Sequence, residues 1–218
     1  MNIEKNPSLE YQLEQEPKII IRKSSEAPPE VKENPFYDPE FWGRAYSPDD
    51  IYLPDSDEAI SFAMAAHEIG HLVREGEKID AALDDFEATR AEEERAWDKG
   101  WEYLEKYLQD YYRDNTETIY QIKRAHKQIK RLLMKATDLS ESMYLEKGAL
   151  DNLSPEDEKR IVKEKKEKLF SEKGDQFRII FNKIKKKKIG QKPDWDRFAE
   201  VVTKAVEDIL EDNKKLER

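Results

Sequence analysis

The sequence predicts an α+β fold that is mostly helical. A small N-terminal sheet packs on a helix carrying His67-Glu68-Ile69-Gly70-His71 and on a long second helix, and a helical C-terminal extension follows. Three observations carry that expectation. Both runs with strand character lie within the first 55 residues. Beyond them, apolar residues recur at three- and four-residue spacing through long charged stretches. Helix-start signals recur at Asn115-Thr116-Glu117, at Ser154-Pro155 and near Asp194.

In chain order, residues 1–16 are polar and read as a flexible N-terminus. Pro17 to Lys23 holds the β-branched run Ile19-Ile20-Ile21 between turn formers and is the best strand candidate. Ser24 to Pro35, with Pro28-Pro29, reads as a loop. Phe36-Tyr37 and Phe41-Trp42 are aromatic anchors for packing. Asp50 to Pro54 alternates as a short strand and ends just before the motif helix. Asp55 or Ser56 is placed to cap that helix, Asp55 and Glu58 having capping-box spacing. From Ala59 to Ala66 the helix carries no charge, in a chain whose residues are 40% charged. A helix apolar on nearly every side is a buried one.

Arg74-Glu75-Gly76 is the expected stop. Residues 78–113 then read as one long helix with Trp97, Gly100, Trp101, Leu104 and Leu108 on one face, where Ala96 and Gly100 admit a close neighbour. A third helix runs to about Lys147, a fourth starts at Ser154 with Pro155 at its first position, and a last one starts at Pro193 or Asp194. There is no internal repeat. The break near Asn152-Leu153 divides a motif-bearing region, 17–150, from a helical C-terminal extension, 151–218.

Two histidines four apart on a helix stand one above the other, so both imidazoles can reach one zinc ion. The intervening Glu68 lies close enough to polarise a zinc-bound water. Two histidines and a glutamate are costly to bury without partners, and a metal ion would offset that. With no cysteine in 218 residues, zinc ligands must be histidine and carboxylate, and no disulfide can form. His126 is the only other histidine, and its basic neighbourhood, Lys123-Arg124-Ala125-His126-Lys127, disfavours a cation. The better candidates for a third ligand lie in Glu92-Glu93-Glu94. Glu93 shares the inward face with Ala96, Trp97 and Gly100; Glu94 lies with Asp98 and Trp101; Glu92 points more toward solvent. Periodicity favours Glu93, with Glu94 kept open.

His67-Glu68-Ile69-Gly70-His71, followed some twenty residues later by Glu93-x-x-Ala96-Trp97, resembles the gluzincin zinc peptidases. Small single-domain minigluzincins and ImmA/IrrE-like regulatory peptidases are similar in brevity. The resemblance covers roughly residues 17–112 and implies a zincin-like metallopeptidase domain. It implies zinc on His67, His71 and Glu93, with Glu68 as general base in peptide-bond hydrolysis and a peptide or protein as substrate. Trp97 stands where many gluzincins carry an aspartate that orients a histidine, so Asp98 or another carboxylate must take that part. No residue presents itself as oxyanion stabiliser; Tyr103, Tyr107, Tyr111 and Tyr112 read as packing. Substrates of such folds often lie along an edge strand, here the 18–23 segment or Ile51–Leu53. The alternative is a non-catalytic zinc-binding regulatory protein or a helical interaction protein.

The net charge of −10 argues against a nucleic-acid binder. The basic run Lys183 and Lys185 to Lys188 reads as a solvated helix end. With no apolar leader and no run of about 18 apolar residues, a cytoplasmic protein without membrane contact is expected.

Overall fold

A computed structural model describes residues 18–33, 37–45, 47–73, 85–113, 115–143 and 154–216. The first strand candidate pairs as β1 (Ile21–Lys23), and the second as β3 (Ile51–Leu53). Between them lies a two-residue strand, β2 (Arg44–Ala45), which sequence patterning does not reveal. The sheet order is β1-β3-β2, with β3 parallel to β1 and antiparallel to β2. Ile51–Leu53 is therefore the central strand and cannot be the edge considered above. The central place suits it: Ile51 and Leu53 are fully buried under the motif helix, while Tyr52 faces Trp42 at 5.8 Å. The connection expected as loop holds a 3-10 turn (Ser24–Glu26) and a one-turn helix, α1 (Pro29–Lys32), with Pro29 at the first helical position. Of the aromatic anchors, Phe41 is buried; Phe36 lies outside the described residues.

The motif helix, α2 (Glu58–Gly70), is capped by Asp57, not by Asp55 or Ser56. Asp57 Oδ1 accepts from the N–H groups of Ala59 (3.1 Å), Ile60 (3.3 Å) and Ile189 (3.1 Å). Asp55 is drawn away by Lys23 and Lys192, each at 3.3 Å. The Ser56 N–H donates to Ser61 Oγ. Every residue from Ala59 to Gly70 is buried. The helix ends at Gly70, earlier than the expected stop at Arg74-Glu75-Gly76, which lies outside the described residues. Asn213 donates to the Leu72 carbonyl at 2.8 Å and ties down the chain that leaves the helix.

The second long helix, α3 (Phe86–Tyr112), starts at an Asp85 cap and crosses α2 with backbones in contact. A Cβ on Gly70 would lie 1.9 Å from the Ala96 carbonyl oxygen, and one on Gly100 1.7 Å from that of Ala66. Only glycine fits at either position. Helix α4 (Thr116–Leu139) opens on Asn115 and closes in a 3-10 turn, Ser140–Met143; its expected continuation to Lys147 runs past the described residues. Ser154 caps α5 (Pro155–Lys185), and α6 (Trp195–Leu216) follows.

Two cores flank α2. On one side Phe62 meets Tyr111 and Phe198 edge-on, each at 5.0 Å, with Leu104, Ile122, Val202 and Ile209 around them. On the other, Ile60, Ala63 and Met64 pack with Trp97, Ile129, Leu169 and Ile184. The helices after residue 150 thus share both cores with the motif helix. The fold is the mostly helical α+β arrangement expected, with six α-helices and one small sheet among the described residues. No described helix is long and apolar enough to cross a membrane.

Candidate metal centre

The α2–α3 crossing places the last turn of α2 against the second turn of α3. His67 and His71 project from α2 and its C-terminal cap position, and Glu93 from α3. His67 Nε2 lies 3.2 Å from one Glu93 carboxylate oxygen, and His71 Nε2 lies 3.9 Å from the other. One ligand atom from each residue falls within 4.8 Å of the others, so the three could hold a metal ion. Glu94, the alternative, is turned away and pairs with Arg90 at 3.6 Å. A helix has one position per 100°, and Glu94 lies too far round α3 to face the histidines.

Glu92 departs from expectation. It points inward, with its side chain only 17% exposed, and its carboxylate meets His71 Nδ1 at 3.2 Å. Arg95 Nε and Nη2 grip the same carboxylate at 2.7 and 2.6 Å, and Nη2 also donates to the Gly70 carbonyl at 3.3 Å. The turn from Glu92 to Arg95 covers the end of α2, which is why two successive glutamates face it. The orienting carboxylate sought at Asp98 is supplied by Glu92. Asp98 instead pairs with Lys130 at 2.6 Å. With Nδ1 donating to the Glu92 carboxylate, a neutral His71 presents its Nε2 lone pair to the centre, the tautomer a metal ligand needs.

Trp97 stacks flat on the His67 ring at 4.4 Å and fixes its plane. On the far side of Trp97 lies His126, buried against Trp101 at 4.2 Å and outside the donor group. Burial, with Lys130 nearby, holds the His126 imidazole down to about 3, so it is neutral in the fold. Two of the α3 tyrosines are occupied elsewhere: Tyr103 donates to Asp212 at 2.9 Å, and Tyr111 accepts from the Asp194 N–H at 3.2 Å.

Glu68 is 7% exposed and faces the sheet. The Ala45 backbone of β2 favours the ionised form of its carboxyl. A Cβ on Gly43 would lie 2.7 Å from Glu68 Cγ, so glycine there is what lets the strand close over the carboxylate. Burial pushes the Glu68 carboxyl above its ordinary value, with Glu93 adding to the rise and the two histidines opposing it. Burial also opposes ionisation of Glu93, but the His67 hydrogen bond and both imidazoles outweigh it and hold Glu93 low. In Glu92 burial is outweighed by the His71 and Arg95 hydrogen bonds, which bring it to about 2. His71 is raised: burial disfavours its charge, but the Glu92 hydrogen bond and Glu93 more than compensate. The site thus brings the Glu93 carboxylate and two imidazoles together, with Glu92 behind His71 and a third, less acidic carboxyl, Glu68, at the edge. Gly43, Arg44 and Ala45 were not legible as site residues, because a two-residue strand has no alternation to detect.

Comparison with protein-family models, with curated proteins and with solved structures finds no match.

Proposed function

We propose that the chain is a zinc-dependent metallopeptidase of the gluzincin kind. The observation that carries this reading is the convergence of His67, His71 and Glu93 beside a buried Glu68 that touches none of the ligand roles. The donor set fits zinc: two imidazole nitrogens and one carboxylate, with an oriented His71 and no thiolate. Bound there, zinc would supply Lewis acidity toward a peptide carbonyl and an attacking water.

The remaining work falls to the chain's own residues. Glu68, raised by burial, accepts the proton of the attacking water and delivers it to the leaving amine. The close approach of Gly43 confines its side chain. Glu92 and Arg95 hold His71, and Trp97 holds His67. The edge strand next to Glu68 is β2, so an extended substrate would add its strand there, at Arg44–Ala45, rather than at Ile51–Leu53 or at the distant β1 edge. The test is zinc content and peptide cleavage for wild type and Glu68→Gln. The variant is expected to keep its zinc and lose about 10²- to 10⁴-fold in cleavage. Equal cleavage by both proteins removes Glu68 from the reaction, and absence of zinc from the wild type removes the metal.

A further inference from the structure

Where α4 meets the end of α5, two adjoining hollows of about 440 and 380 Å³ share Gln128, Lys186 and Lys187 and form one groove. Arg124, Arg131 and Lys135 of α4 line one wall; Lys183, Lys186 and Lys187 line the other. No carboxylate lines either hollow, in a chain whose net charge is −10. A seventh lining cation, Lys188, is neutralised by Glu40 (3.6 Å), as are cations outside the groove: Lys123 by Glu105 (2.6 Å), Lys130 by Asp98 (2.6 Å) and Lys185 by Asp38 (2.8 Å). None of the other six groove cations has an ion-pair partner among the described residues. The helix dipole accounts for lysines at the end of α5, but Arg124 and Arg131 sit mid-way along α4, where it offers nothing. Six like charges brought together repel one another and lower stability, so their assembly needs another cause.

The structure assigns this groove to an acidic peptide segment, a strand of Asp and Glu residues with an apolar residue among them. Leu132 and Ile189 are the large apolar residues of its lining, and the Gln128 carboxamide can pair with a peptide backbone. No aromatic ring lines the groove, so a nucleic acid would find phosphate partners and no stacking platform. From Arg124 to Lys135 the wall spans roughly 16 Å at 1.5 Å per residue, the length of about five extended residues. Ile189 also bonds to Asp57, at the end of α2 opposite the histidines, about 20 Å along that helix. The Ile189 end of the groove is therefore remote from the metal centre, and the assignment holds whether or not that centre turns over substrate.

The test is fluorescence anisotropy of the full chain with a labelled peptide in which Asp and Glu flank a leucine. Saturable binding is expected, weakening steeply as salt is raised. Arg131→Glu with Lys186→Glu should weaken it at least about tenfold. Should that reversal fail to fold, Arg131→Gln with Lys186→Gln serves: it should weaken binding while raising the melting temperature, since it relieves repulsion. No binding by the wild type, equal binding by the variant, or tighter binding of an oligothymidylate than of the acidic peptide overturns the assignment.

Discussion

The crossing of α2 and α3 makes a sharp prediction for Gly100→Ala. The added methyl carbon would sit 1.7 Å from the Ala66 carbonyl oxygen and 2.8 Å from the Gly70 nitrogen, where ordinary contact begins at 3.4 Å. Both obstacles are backbone, with no flexible side chain to give way, so the helices must separate by about 1.7 Å. Overpacking of this kind costs about 3 kcal/mol or more. Glu93 stands seven residues, two turns, before Gly100 on the same helix, and His67 follows Ala66 directly. Zinc ligation tolerates misplacement of only about 0.2 Å. A displacement several times larger should weaken zinc binding by more than about a hundredfold. Chelator competition reads the affinity, and thermal unfolding without metal reads the packing cost. Gly174→Ala on α5 is the control, since its Cβ would meet only Phe170 at 3.6 Å, and relief of glycine's helical penalty should stabilise by about 0.5–1 kcal/mol. If Gly100→Ala bound zinc and melted like wild type, the backbone contact would not be what positions Glu93.

Glu92→Gln should lower zinc affinity about 10- to 100-fold without changing the unfolding cooperativity of the metal-free protein, again by chelator competition. His126→Phe should remove an acid sensitivity. The folded imidazole titrates at about 3, well below the unfolded value of 6.5, so its contribution is intact above that value. As pH falls from there toward 3, the unfolded chain takes up a proton that the fold refuses, costing about 1.4 kcal/mol per pH unit. Acid titrations of metal-free wild type and variant followed by circular dichroism should diverge in that window only. Asp57→Ala should cost about 2 kcal/mol in denaturant unfolding, since it strands the N–H groups of Ile60 and Ile189, while Ala59 keeps the Ile189 carbonyl at 3.3 Å.

The motif helix, the face of α3 and the choice of Glu93 were legible because each rests on helical periodicity within one element. The close approach at Ala96 and Gly100 was legible for the same reason; its counterpart at Gly70 was hidden inside the motif. What was missed depends on chain segments far apart in sequence. Asp55, Ser56 and Asp57 are all competent caps, and the choice among them is made by Lys23, Lys192 and Ile189. Glu92 read as outward because periodicity supposes one inward face, whereas Arg95 wraps its turn over the end of α2. The basic run near residue 186 read as a solvated helix end. Its partners and its cationic neighbours come from residues 38–40 and from α4.

Phe198, Val202 and Ile209 of the final helix complete the packing around Phe62, and Asn213 anchors the chain just past His71. Any attempt to trim this protein to its histidine-bearing third would therefore lay bare the apolar flank of α2 and release the support beneath its last turn. During synthesis the same dependence holds in time: α2 leaves the ribosome lacking a wall, and can settle only when α6 has been made to close it.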